Sequence, residues 1–342
     1  MSASKVRSVF LSEHQSPLVI KPVKSDDNCA HVLLEFLNEN HQKFSNDLIK
    51  YGAILFRDFN ISTAEEFATI VNTCRLGKFI PYLGGSAARI KLSDNIYTST
   101  EAPSHRVIGL HNEMTYSSTY PKHLFFFCQQ PATVMGATPI ADARNVYLSI
   151  GEKLKDKLHE QGILYYKYLF NHDTLMKLIG KYSPDIMPWF QIYDTKNKQA
   201  VERQLIQAGF QYEWLPREKG LCTWIKLPAF RIHPVTGEYV WFTQANLCND
   251  YNHYIYNLWG PKFCWLLRRC IFNRKNLPLY ASFGNGERFS NDEVKEMLAA
   301  ANKHYVSYPW QKGDVLVLDN LLCMHGREAF SGKRSVLVSM TK

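Results

Sequence analysis

The stretch GLHNEMTY, residues 109–116, sets His111 and Glu113 two apart among apolar and aromatic neighbours. Four readings share this beginning: a chance polar pair in a loop, a zinc site, the H-x-E of a zinc-dependent nucleobase deaminase, and part of an iron site. A deaminase also needs P-C-x-x-C, whose two cysteines hold the zinc while the Glu moves protons. No pair among the eight cysteines (Cys29, Cys74, Cys128, Cys222, Cys248, Cys264, Cys270, Cys323) has C-x-x-C spacing. That removes the deaminase. The H-E-x-x-H of helical zinc proteases is absent as well.

Residues two apart on a strand share a face, about 6–7 Å apart along the chain. Donors to one metal must come within about 3 Å of each other, given metal–ligand bonds near 2 Å. Long side chains converging from a strand end can close that gap, but a third ligand must come from elsewhere. Of twelve histidines, His325 stands out: it follows the apolar GDVLVLDNLLCM and precedes Gly326. At such a strand end a side chain can face a barrel interior. Two His and one carboxylate on one face of a metal leave neighbouring positions open, the facial triad of non-haem Fe(II) oxygenases. Two open positions suit a bidentate co-substrate and the third suits O₂. A zinc hydrolase could use the same three ligands with water in the fourth position, and the triad alone does not separate the two.

Arg334 lies nine residues after His325, across the loop GREAFSGK. An antiparallel return would bring it back to the cavity, where a buried guanidinium needs an anion. A dicarboxylic co-substrate supplies one in the fork geometry that Arg favours. The plainer alternative is a surface pair with Glu328. Thr138, in MGATPIAD, could be a second donor to the same carboxylate or simply a loop residue.

The elements that must position these residues read mostly as strands. HVLLEFLNENHQKFSNDLIK spaces its apolar residues for a helix within 26–50, YGAILFRDF follows as a strand, and Ser62 with Glu65 has capping-box spacing before a second helix. Residues 88–148 read as several strands broken by Pro and Gly. Helices are expected over about 145–161 and at KQAVERQLIQAG, and HPVTGE is a hairpin turn. Ser290 and Glu293 form another capping box, and the C-terminus reads as two apolar strands joined by a polar loop. With helices early and as insertions, the expected fold is β-dominated α+β: a double-stranded β-helix, or jelly roll, with flanking helices. A loose arm over 1–15 precedes a single domain over 16–342, because the candidate ligands lie on both sides of the insertions.

Composition sets outer bounds. The 342 residues are 46% hydrophobic, enough for a large core. No run of about 18 apolar residues occurs, so no membrane span is expected, and MSASKVRSVFLSEHQS has no apolar core like that of a secretion signal. Scattered cysteines fit reduced thiols, so a soluble cytoplasmic protein is expected. The net charge of +9 favours small anions weakly. It comes without the basic-aromatic modules of a nucleic-acid binder, so no nucleic-acid partner is expected. The densest basic run, LLRRCIFNRKN at 266–276, reads as a solvated helix end or a docking surface for an acidic partner.

Taken in order, YGAILFRDFNI, PYLGGSAARI, NIYTSTEAP, LHNEMTY, LFFFCQQPATVMGATPIADARNVY, GEYVWFTQANL, ASFGNGERFS and PWQKGDVLVLDNLLCMHGREAFSGKRSVLVSM resemble the taurine dioxygenase-like (TauD/TfdA) family of Fe(II)- and 2-oxoglutarate-dependent oxygenases. The resemblance runs from about residue 50 to the C-terminus and is strongest to the clavaminate synthase-like branch and to hydroxylases of carrier-bound amino acids. It implies that His111, Glu113 and His325 hold Fe(II), and that Thr138 and Arg334 bind 2-oxoglutarate, which is consumed with O₂ to give succinate and CO₂. Many members carry Asp where this chain has Glu113; the Glu form occurs in the clavaminate synthase-like branch. Halogenating relatives have a small residue there, so Glu113 implies oxygenation. Where taurine dioxygenase has a sulfonate-gripping Arg, this chain has Val338, which argues against taurine.

Arg89, Thr100 and Gln244 lie in the matching stretches and could contact the substrate, or could be a sheet-edge charge and strand or turn polar groups. Arg327 could support His325 or form a loop salt bridge. The expected activity is hydroxylation of an amino acid, an amino-acid derivative or a carrier-bound amino acid. A zinc hydrolase and a non-catalytic binding protein on the same fold are the alternatives.

Overall fold

The computed structural model describes residues 5–11, 13, 15–80, 89–93, 95–100, 102–171, 187–216, 219–249 and 277–342. The basic run at 266–276, Cys264 and Cys270 lie outside the described residues. In chain order the strands are β1 (Val6–Phe10), β2 (Leu18–Pro22), β3 (Ala53–Phe56), β4 (Lys91–Ser93), β5 (Ile96–Thr98), β6 (Ile108–His111), β7 (His123–Gln130), β8 (Val134–Met135), β9 (Ile140–Asp142), β10 (Ile163–Phe170), β11 (Gln211–Trp214), β12 (Gly220–Leu227), β13 (Phe230–Ile232), β14 (Tyr239–Trp241), β15 (Tyr280–Phe283), β16 (Val315–Asp319), β17 (Cys323–Arg327), β18 (Phe330–Ser331) and β19 (Ser335–Thr341).

The largest sheet has the order β1-β2-β3-β16-β7-β19-β5-β4. Its central strands are apolar on both faces because both are covered. Along β7, Phe125 and Phe127 pack with Ile54 and Phe56 of β3 and Val315 and Val317 of β16, beneath the helices Ala30–Glu39, His41–Tyr51 and Ala64–Thr73. The alternate residues Leu124, Phe126 and Cys128 pack on the opposite face with Leu55, Leu316, Leu318 and Met340. The period of two along HLFFFC thus sends one set under the helices and the other toward the site. A three-stranded sheet, β6-β17-β9, carries the site, and a four-stranded sheet, β11-β12-β10-β15, forms a separate layer. The fold is β-rich and mixed, with several sheets and helices outside them.

Several local expectations shift. Within the expected arm, Val6–Phe10 forms a strand: β1 pairs antiparallel with β2, Val6 opposite Pro22 and Phe10 opposite Leu18. The helix expected within 26–50 is two helices, broken at Asn40, whose amide side chain and N–H both donate to Phe36 O. The helix expected over 145–161 is also two, Ala143–Ser149 and Glu152–Gln161. The first capping box is Thr63 with Glu66, one residue later than Ser62 with Glu65, because Thr63 is the residue with extended backbone at the cap. The Ser290–Glu293 box forms as read, and HPVTGE closes the β13–β14 turn with His233 N–H donating to Glu238 O at 2.9 Å. The C-terminal stretch is four strands, because Asp319 turns the chain: its Oδ1 accepts from Leu321 N at 2.8 Å and Leu322 N at 3.1 Å. No described helix is long and apolar enough to cross a membrane.

Candidate metal centre and its cavity

β17 runs antiparallel between β6 and β9, and its register sets His325 opposite His111 on one side and opposite Ile140 on the other. Gly326 permits this three-strand approach, since a Cβ there would lie 2.7 Å from Ile108 O. The ladder shifts register between His325 and Arg327, a local irregularity that re-aims side chains. Glu113 comes two residues past β6. The next residue, Met114, takes a left-handed φ of 57°, so the chain turns sharply away once the carboxylate has been delivered.

One ligand atom from each of His111, Glu113 and His325 can be chosen so that all lie within 4.8 Å of one another. The imidazole rings are 4.4 Å apart, and His325 Nε2 is 3.8 Å from Glu113 Oε2. Burial pushes both histidines below their usual pKa, His325 well below, so both are neutral imidazoles at neutral pH. His111 donates Nδ1–H to Gly109 O at 2.9 Å, which leaves the Nε2 lone pair available. His325 has no hydrogen bond on Nδ1 although that atom is buried. Its other nitrogen, Nε2, is the one that faces Glu113 Oε2. Neutral nitrogen donors with one carboxylate are what a divalent first-row cation needs, so the residues present fit Fe(II).

Buried amides hold this geometry. Asn320 Oδ1 accepts from Glu113 N at 2.8 Å, and its Nδ2 donates to Glu113 O at 3.1 Å and Pro121 O at 2.8 Å. Asn112 Nδ2 donates to Asn320 O at 2.7 Å. From the segment after β14, Gln244 Nε2 donates to Asn112 O at 3.1 Å and Asn246 Nδ2 to Leu110 O at 3.1 Å. Thr115 joins the hydroxyl chain Thr115–Tyr165–Thr243, while Met114 and Tyr116 pack in the core. Sequence reasoning missed Asn320; its signal was a polar Asp-Asn pair inside an otherwise apolar run.

The triad opens into a cavity of about 430 Å³ whose lining includes Arg89, Thr100, Arg106, Thr138, Gln244, Arg327 and Arg334. Arg334 Nε donates to Gly136 O at 2.9 Å and Nη2 to Thr138 Oγ1 at 3.3 Å. Trp310 Nε1 also donates to Thr138 Oγ1, at 3.1 Å, which leaves the Thr138 hydroxyl proton as its remaining capacity. Gly136 has φ +80°, and a Cβ there would meet Phe330 Cβ at 2.8 Å and Arg334 Cδ at 3.3 Å. Among the described residues no carboxylate lies within ion-pair distance of Arg334. Glu328 instead accepts from Tyr305 at 2.9 Å and Ser307 at 2.6 Å. Burial pushes the Arg334 guanidinium down to about 10, and it stays charged at neutral pH.

The lower-ranked residues also find places. Arg89 pairs with Glu113, Nη2 to Oε2 at 2.6 Å. Thr100 lines the cavity but its Oγ1 accepts from Ala102 N at 3.3 Å in a local turn. Arg327 has backbone partners. It donates to Ala102 O, Pro103 O and Arg106 O at 2.6–2.8 Å, pinning the cavity rim to the strand that carries His325.

A cavity lined by a two-histidine, one-carboxylate cluster and by the half-buried guanidinium of Arg334 defines a class, and comparison with known proteins agrees. Residues 26–341 match the family described as taurine catabolism dioxygenase TauD, TfdA family. The chain belongs to that family, and it is a non-haem Fe(II)- and 2-oxoglutarate-dependent dioxygenase. Membership decides against the zinc hydrolase that the triad alone left open.

Among its relatives, the dapdiamide synthesis protein DdaC of Enterobacter agglomerans is 32% identical over 301 residues, covering 88% of this chain and 85% of DdaC. A clavaminate synthase-like protein of Arabidopsis thaliana is 29% identical, covering 85% and 82%. The fold is shared with PvcB of Pseudomonas aeruginosa, at TM-score 0.51 and 13% identity over 100% of this chain and 93% of that one. It is likewise shared with AAD-2, solved with Mn(II) and N-oxalylglycine, at 0.51 and 13% over 98% and 96%.

Proposed function

We propose that this protein hydroxylates an amino acid, an amino-acid derivative or an amino acid tethered to a carrier protein. His111, Glu113 and His325 hold the Fe(II), and Arg334 with Thr138 holds the distal carboxylate of 2-oxoglutarate. The observation that carries this reading is the Arg334 guanidinium, half-buried on the same cavity as the triad with no described carboxylate to neutralise it. A cation of this kind calls for an anion. The wider lining supports it, with four arginines against the single acid Glu113 among the described residues. The relatives' names, dapdiamide synthesis and clavaminate synthase-like, support a small molecule as substrate. On this reading the facing sheets form a double-stranded β-helix, and residues 16–342 are one domain.

When bound, Fe(II) with 2-oxoglutarate and O₂ supplies the oxidising chemistry: the co-substrate leaves as succinate and CO₂, and one oxygen atom enters a substrate C–H bond. The chain's own residues position and shield. Arg334 offers its planar fork to the distal carboxylate, and the Thr138 hydroxyl proton is aimed by Trp310 and Arg334. The amide network around Asn320 fixes the Glu113 backbone, so that its carboxylate enters the site at one angle. Phe126, with its ring 5.2 Å from His325, walls the histidine from water. Arg327 holds the 102–106 rim in place over the cavity.

The test is a panel of free amino acids, small amines and carrier-bound amino acids, read as succinate formed. The expected result is substrate-dependent succinate that requires Fe(II), 2-oxoglutarate and O₂. Iron-loaded protein that consumes no 2-oxoglutarate with any member of the panel contradicts the reading, and turnover confined to compounds without an amino acid contradicts the substrate class.

A further inference from the structure

One oxygen of Glu113 serves two neighbours. Oε2 accepts from Arg89 Nη2 at 2.6 Å, and it is the same oxygen that lies 3.8 Å from His325 Nε2. Both the Arg89 and Glu113 side chains are only 5% exposed, so solvent screens the pair little. A divalent cation held by His325 and Glu113 would therefore share that carboxylate with the nearby Arg89 guanidinium. Like charges at that spacing oppose each other, and the opposition is stronger in a buried site than in water.

The donor set is also changed as a whole. Two neutral imidazoles and one carboxylate carry a single negative charge, which Arg89 cancels. The full charge of the metal is then left to attract a dianionic chelator.

We propose that Arg89 is an internal counter-ion of Glu113: it positions the carboxylate, weakens divalent-metal binding at the triad and strengthens binding of the anionic co-substrate to the metal-loaded site. This rests on the functional reading given above, and it assigns Arg89 a role through Glu113 rather than a contact to substrate.

The two effects have opposite signs, which a merely structural role would not produce. Arg89→Met removes the competing charge. Titrated with Mn(II) at neutral pH, the full-length variant is expected to bind at least about tenfold more tightly than wild type, the scale on which a charge within about 4–6 Å shifts binding of a single proton. 2-Oxoglutarate binding to the Mn(II)-loaded variant is expected to weaken by a similar factor. Arg89→Lys keeps the charge and should stay within about threefold of wild type in both titrations. Should Arg89→Met fail to fold, Arg89→Gln removes the charge while keeping hydrogen-bonding atoms, with the same expectation. If the neutral variants bind Mn(II) no more tightly than a wild type that does bind it, the counter-ion role is overturned and the triad stands. A wild type that binds no Mn(II) overturns the triad itself.

Discussion

Arg334→Met tests the proposed tie between this cavity and a dicarboxylate. In the native chain burial lowers the guanidinium from its ordinary 12.5 to about 10. At about 1.4 kcal/mol per unit, this is roughly 3 kcal/mol of unfavourable desolvation, which an anionic partner can offset. Truncating one side of a buried hydrogen-bonded charge pair typically costs about 2–5 kcal/mol of binding. Both figures point to a loss of about a hundredfold in 2-oxoglutarate affinity. Arg334→Lys keeps the charge but loses the fork, and is expected to lose about tenfold or more, the scale of one charged hydrogen bond.

The folded protein should respond in the opposite direction. Without a half-buried cation that no described carboxylate neutralises, Arg334→Met should be at least as stable as wild type in the absence of ligand. The assay pairs calorimetric titration of 2-oxoglutarate into Mn(II)-loaded protein with thermal unfolding. Wild type should gain stability with co-substrate, as linkage requires, and the Met variant should not. Unchanged co-substrate affinity in a folded Arg334→Met protein refutes the reasoning, because the carboxylate must then be held elsewhere.

Three further outcomes follow from the same geometry. Asn320→Ala removes a buried amide that makes three hydrogen bonds to Glu113 N, Glu113 O and Pro121 O; it should cost about 3–5 kcal/mol in urea unfolding and weaken metal binding, and a loss under about 1 kcal/mol counts against the network. His111, His123 and His325 are all held below 6.5 by burial. The unfolded chain therefore takes up protons below about pH 6.5 that the folded chain does not, and stability should fall as pH drops from there; urea midpoints that stay flat from neutral pH into that range would sink this. Arg327→Met releases the 102–106 rim from three donated hydrogen bonds. The KM for substrate should rise at least about tenfold while Mn(II) affinity stays within about twofold, and a matching loss of metal affinity would place Arg327 in support of His325 instead.

The chemistry of the site was more legible than its supports. The His111–Glu113–His325 cluster, which the structure brings together, could be read because residues able to hold a metal are few in type, and the apolar strand before His325 marks where such a residue can face inward. Thr138 and Arg334 come together on the cavity, although β19 pairs with β7 and β5 rather than returning against the strand of His325. The Arg89–Glu113 pair was not legible: the two are 24 residues apart, and no local pattern encodes which buried charge a distant guanidinium will meet. Polar residues within apolar runs, Asn112 and Asn320 above all, marked the positions where the backbone needed partners. Boundaries were missed where a single side chain decided them, as at Asn40, at Asp319, and at Thr63 in place of Ser62. Strand β1 was missed because it is mostly exposed, and its pairing depends on β2.

The most direct measurement is an anaerobic titration of purified protein with Fe(II) and then 2-oxoglutarate, followed by visible absorption. A charge-transfer band is expected to grow to a stoichiometric end point in wild type. It should be absent in His325→Ala, and in Arg334→Met it should need far more 2-oxoglutarate. A wild type that binds both without developing the band, or a band that survives His325→Ala unchanged, contradicts the assignment of this cluster as the iron and 2-oxoglutarate site.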